Sequence, residues 1–150
     1  MLKKIVLSLI IFILTIKISL SQEIEFESTN IDITENGNII IAYDSYLKIP
    51  SQNIRIKSNK ANYNKEKSLI IFTGNVFFED LEKNLNIKSN EIKYEKIKDL
   101  IYTIGKTEIN IDGKYKINST DIFFDRKLGK IFGEKEALIE DNQKNFYILK

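Results

Sequence analysis

Along most of the chain, apolar and polar residues alternate with a period of two. Ile54 and Ile56 alternate with Arg55 and Lys57, Leu85 and Ile87 with Asn86 and Lys88, and Ile92 and Tyr94 with Glu91 and Lys93. Ile109 and Ile111 do the same against Asn110 and Asp112, as do Tyr115 and Ile117 against Lys116 and Asn118. No stretch after residue 22 keeps a helical apolar stripe for three turns. Such segments, rich in Ile, Tyr and Phe, predict strands with one buried and one wet face. Polar turn signals separate them at 35–38 (ENGN), 64–68 (NKEKS), 80–84 (DLEKN), 112–114 (DGK) and 125–130 (DRKLGK). The only proline, Pro50, sits in a loop-like IPSQN run. The expectation is an all-β chain of many short strands.

The strands repeat. Residues 56–63 (IKSNKANY), 87–94 (IKSNEIKY) and 117–124 (INSTDIFF) align, and a glycine follows each at Gly74, Gly105 and Gly133. A degenerate unit begins at 26–33 (FESTNIDI), with Asp44 where the glycine would be. A period of about 30 residues marks a repeat architecture in which no unit buries its apolar face alone. The alternation also changes phase at Ser-Asn: Ile87 and Ser89 share a parity that Ile92 and Tyr94 do not. One extra residue at a bulge or corner does that while keeping the apolar face turned the same way. The glycines predict a second bend, where a side chain would crowd a neighbour.

The first 21 residues (MLKKIVLSLIIFILTIKISLS) change the picture of charge. Lys3 and Lys4 precede a mostly apolar run from Ile5 to Ile16, and Ser19 and Ser21 are small residues placed for cleavage before Gln22. This is the layout of a secretory signal peptide, with Lys17 cutting the run short of a spanning helix. The expected domains are therefore a leader, 1–21, and one β-domain, 22–150. Without Lys3, Lys4 and Lys17 the 23 basic residues become 20 against 21 acids, with the signs interleaved. That is a solvated mixed surface and not a nucleic-acid footprint. The chain has no His, Cys or Trp, which excludes Cys/His zinc sites, thiol nucleophiles and a Ser-His-Asp relay. Lys outnumbers Arg heavily, with arginine only at Arg55 and Arg126.

The unit IxSNxxxY…GNVxxxD, carried by Ile56, Ser58, Asn59, Tyr63, Gly74, Asn75, Val76 and Asp80, resembles the OstA-like repeat of lipopolysaccharide-transport proteins, the LptA, LptC and LptD family. The resemblance spans about residues 24–141. It implies a twisted β-jellyroll, two antiparallel sheets opening into a V that holds lipopolysaccharide acyl chains and stacks edge to edge with other such domains. Within the family the chain resembles most the N-terminal periplasmic domain of LptD. The strand-like end FYILK favours a longer chain with a barrel to follow, which would place it at the outer membrane. The alternatives are a complete LptA-like periplasmic bridge and a generic β-sandwich binding module.

This reading expects no cofactor and no catalysis. The carboxylate pairs Glu79/Asp80, Glu134/Glu136 and Glu140/Asp141 fall in turns or on wet faces, where charge is the default. The expected acyl-chain groove is Ile56, Tyr63, Phe78, Ile87, Tyr94, Tyr102, Ile109, Ile117 and Phe124. Greasy repetition suffices for such a site, since each buried CH₂ gains ~0.8 kcal/mol. The expected edge contacts with a partner domain are Phe26, Glu27, Thr29 and Ile31 in a first strand over 23–33, and Phe146 and Ile148 in the last.

Overall fold

The computed structural model describes residues 24 to 149; the leader, 1–21, lies outside them. They form an all-β, antiparallel, open β-jellyroll. Its strands are β1 (Glu25–Glu27), β2 (Asn30–Thr34), β3 (Ile39–Ile49), β4 (Ile54–Asn64), β5 (Leu69–Asp80), β6 (Leu85–Glu95), β7 (Leu100–Ile111), β8 (Tyr115–Thr120), β9 (Phe123–Asp125), β10 (Lys130–Phe132), β11 (Ala137–Asp141) and β12 (Phe146–Leu149).

The middle strands, β3 to β7, are longer than the alternation suggested because each carries both arms of a bend. The ladder shifts register between Lys57 and Lys60, between Thr73 and Val76, and between Ser89 and Glu91. Each strand thus serves two layers. Layer A takes β1, the segments 45–49, 54–58, 76–80, 85–89 and 107–111, then β8, β11 and β12. Layer B takes β2, the segments 39–43, 60–64, 69–73, 91–95 and 100–104, then β9 and β10. The bends form a spine. The hairpin turns of the two layers form two lips on the opposite side.

The spine explains the marks of the repeat. Asp44, Gly74, Asn75, Gly105 and Asp121 all have left-handed backbone, with φ of 47°, 76°, 50°, 80° and 54°. A Cβ at Gly74 would lie 2.7 Å from Asn59 Nδ2, which is the crowding expected; at Gly105 the space is open and only the backbone angle calls for glycine. Gly133 departs from the expectation: its φ is not in the left-handed region, and Asp121 makes the turn in the third unit. Buried hydroxyls at the bend bond to one another and to the backbone. Ser45 and Ser58 lie 2.8 Å apart, Thr107 donates to Thr103 Oγ1 at 2.7 Å, and the Ile122 amide donates to the same oxygen at 2.9 Å. Among the described residues no buried side-chain polar atom lacks a partner.

The end units are broken where the middle ones are continuous. The first strand expected over 23–33 is two strands, β1 in layer A and β2 in layer B, both paired with β3. In the third unit the chain leaves β8 at Asp121 and enters the other layer as the short β9. One contiguous core fills the space between the layers, from Ala42 to Phe124.

Candidate functional site

Register turns the inner face of each layer into a row. In layer A the row is Phe26, Leu47, Ile56, Phe78, Ile87, Ile109, Ile117, Ile139, Tyr147, each directly opposite the next. In layer B it is Ile33, Ile40, Tyr63, Ile70, Tyr94, Ile101, Phe124, Ile131. Directly paired residues share a face of a sheet, so each row is a stripe of apolar side chains crossing every strand of its layer. The interior positions expected from sequence fall into these rows, with one exception. Tyr102 is on the outer face. Its neighbours Ile101 and Thr103 point inward, and its ring stacks on Phe123 at 4.4 Å between centroids, which in turn stacks on Phe132 at 5.2 Å.

The rows are closed in the middle and open at the ends. Leu47, Ile56, Phe78, Ile87 and Ile109 are each 0% exposed, as are Ile70, Tyr94 and Ile101. Toward the C-terminal edge of layer A, Ile117 and Ile139 are half-buried and Tyr147 is 50% exposed. At the other corner, on the N-terminal edge of layer B, Ile33 is 63% exposed. All of β12 is exposed, with Tyr147 and Leu149 on the inner face and Phe146 and Ile148 on the outer. Of the N-terminal edge residues, Phe26 heads the layer A row and is half-buried, Glu27 pairs with Lys48, and Ile31 is an exposed inner-face residue opposite Ala42. Thr29 is different: its amide donates to Tyr43 O at 3.1 Å, so that N–H does not face outward.

A charged cluster lies across the lips, and sequence reasoning missed it. Asp80, expected in a turn or on a wet face, ends a strand on the inner face of layer A and is 1% exposed. Arg126, which follows β9 in layer B, is 4% exposed. Its Nε donates to Asp80 Oδ2 at 2.7 Å and its Nη2 to the Gln52 carbonyl at 3.1 Å, both in layer A. Its Nη1 donates to both carboxylate oxygens of Asp99, at 2.8 and 2.9 Å, on its own lip. The Tyr94 hydroxyl lies 2.9 Å from Asp99 Oδ1 and 2.5 Å from Gln52 Oε1. Burial works against the guanidinium charge, but the hydrogen bonds to Asp80 and Asp99 outweigh it and raise its pKa. Burial, then the Asp99 charge, pushes the Tyr94 phenol well above its ordinary value. The one available signal was arginine itself, which a lysine-rich chain uses at only two positions, Arg55 and Arg126. Arg binds carboxylates with a planar fork that Lys does not have.

Comparison with known proteins bears on this geometry. A sequence model of the LptC-related lipopolysaccharide-assembly family matches residues 15–131. Among solved structures, the chain is similar to LptH of Pseudomonas aeruginosa, described as the LptA-homologous periplasmic component of the lipopolysaccharide transport device. The TM-score is 0.68 at 9% identity, over 86% of this chain and 95% of that one, a likeness of fold. No curated protein sequence matches. Neither match is to an LptD domain, which the sequence reading placed ahead of the LptA-like bridge.

Proposed function

Because the chain belongs to the LptC-related lipopolysaccharide-assembly family, we propose that it is a non-catalytic periplasmic bridge domain that carries lipopolysaccharide by its acyl chains. In this reading residues 1–21 are a signal peptide and 22–150 the bridge domain. The LptA-like form suits the comparisons better than the N-terminal domain of LptD. Acyl chains lie against the two inner rows, and neighbouring domains extend the rows at β1 and β2 on one side and β10 and β12 on the other.

The observation that carries the reading is the pair of apolar rows surfacing at opposite edges. A closed sandwich would end each layer in polar residues. Here Ile33 and Tyr147 leave inner-face apolar surface uncovered at diagonal corners. Charge, proline or bulges normally blunt such edges. A strand added by a second domain would continue the ladder and the stripe together.

A photo-crosslinking side chain tests the groove. At Ile139 or Tyr147 it labels with lipopolysaccharide, and at Asn118 or Ile148, on the outer face, it does not. Equal labelling on both faces refutes the assignment. The edge has its own test. Ile148→Lys on β12 abolishes crosslinking to a partner jellyroll while circular dichroism is unchanged, and retained crosslinking rules β12 out as the contact.

A further inference from the structure

The clasp across the lips joins the layers along a single plane. The bonds from Arg126 to Asp80 and to the Gln52 carbonyl, and the contact of Tyr94 with Gln52, cross from layer B to layer A. The bonds from Arg126 and Tyr94 to Asp99 stay within layer B. If the lips part, Arg126 therefore keeps a bidentate carboxylate. Asp80 keeps its own turn, because its Oδ1 accepts the Glu82 and Lys83 amides at 3.1 and 3.0 Å. Neither charge is orphaned, and both gain water. A buried pair that loses its partner outright is heavily penalised, and this arrangement avoids that penalty. The spine, by contrast, is covalent: β3 to β7 run through it. The layers are thus hinged at one side and fastened by polar bonds at the other.

We propose that Arg126, Asp80 and Gln52 form a latch that holds the lips shut over the buried middle of the rows, and that its release admits acyl chains there. This rests on the acyl-chain reading of the rows. The closed state leaves Phe78, Ile87 and Tyr94 unreachable. Lipid entering at the open ends would reach the middle only after the cross-layer bonds let go. The ligand then supplies apolar contact in place of the opposite layer, as population shift between two states requires.

The test uses the full mature chain. It contains no cysteine, so Glu82→Cys and Ile97→Cys, in exposed turns on the two lips, take a unique pair of spin labels. Asp80→Asn keeps the shape and the turn acceptor but loses the cross-layer ion pair. The expected result is a longer and broader label distance without lipid. A photo-crosslinker at Tyr63, just inside the lips, then labels with purified lipopolysaccharide about tenfold faster, the factor that one charge-assisted hydrogen bond is worth. Arg126→Lys, which keeps the charge but not the fork, shifts both readouts in the same direction and serves if Asp80→Asn does not fold. Equal, non-zero labelling of parent and variant overturns the latch. No labelling of either refutes the acyl-chain reading instead, and the spin-label distance alone then decides whether the latch exists.

Discussion

The middle of the molecule and its C-terminal arm use the same repeat and the same inner row, yet one is sealed and the other bare. Between β3 and β7 every strand crosses the spine and contributes to both layers, so the row residues of both layers share one buried core. In the arm, β8, β11 and β12 extend layer A, while layer B receives only the three-residue strands β9 and β10. Ile109 is fully buried and Tyr147 half exposed, three strands apart in one row. The difference comes from strand continuity, since both regions are apolar. A row is a core where the chain bends and a surface where it breaks.

The largest expected effect separates the two regions by stability. Phe78→Ala opens a cavity in the sealed part and costs about 3–5 kcal/mol. Tyr147→Ala, in the same row, changes the unfolding free energy by less than ~0.5 kcal/mol. Urea titration of both variants decides it, and similar costs would mean that the arm is packed like the middle.

A smaller effect concerns the bends that make the middle continuous. Gly105→Ala meets only the left-handed backbone and costs about 1 kcal/mol. Gly74→Ala meets that angle and the Asn59 side chain as well, so it costs about 1 kcal/mol more. Thermal unfolding of the two variants ranks them, and the reverse order would show that Asn59 gives way freely.

The smallest effect lies at the seam between the regions. Lys116 of β8 reaches Glu108 of β7 at 2.7 Å, and that hydrogen bond holds the Glu108 carboxyl below its ordinary range. A depressed folded pKa adds stability above the unfolded value of ~4.3 and loses it as pH falls through the folded one. Acid titration followed by NMR should therefore perturb β8 and β11 before the β4–β6 core as the pH falls below the ordinary glutamate range, and Glu108→Gln should remove that step. A simultaneous change in both regions would contradict the seam.

The strands, turns, bends and most inner positions were legible in the sequence because each depends on residues close in the chain. Period-two alternation and a one-residue slip at Ser-Asn are local signals. Tyr102 was not legible, because Leu100 to Ile104 is nearly all apolar and such a run has no readable parity. The inward residue there, Thr103, serves the spine as a hydrogen-bond acceptor and donor and so hides the phase. The clasp escaped for a different reason. Asp80 looks like a turn acid until Arg126 arrives from the other layer, 46 residues later. Local pattern carries no information about that meeting.

The in-register rows also make the fold a ruler. One repeat adds two strands to each layer, and strands lie about 4.8 Å apart, so each unit widens the apolar stripe by about 10 Å. Duplicating residues 56–86 in frame would lengthen both rows by that increment while leaving the spine angle and the edge strands as they are. Reach across a gap is then set by counting units.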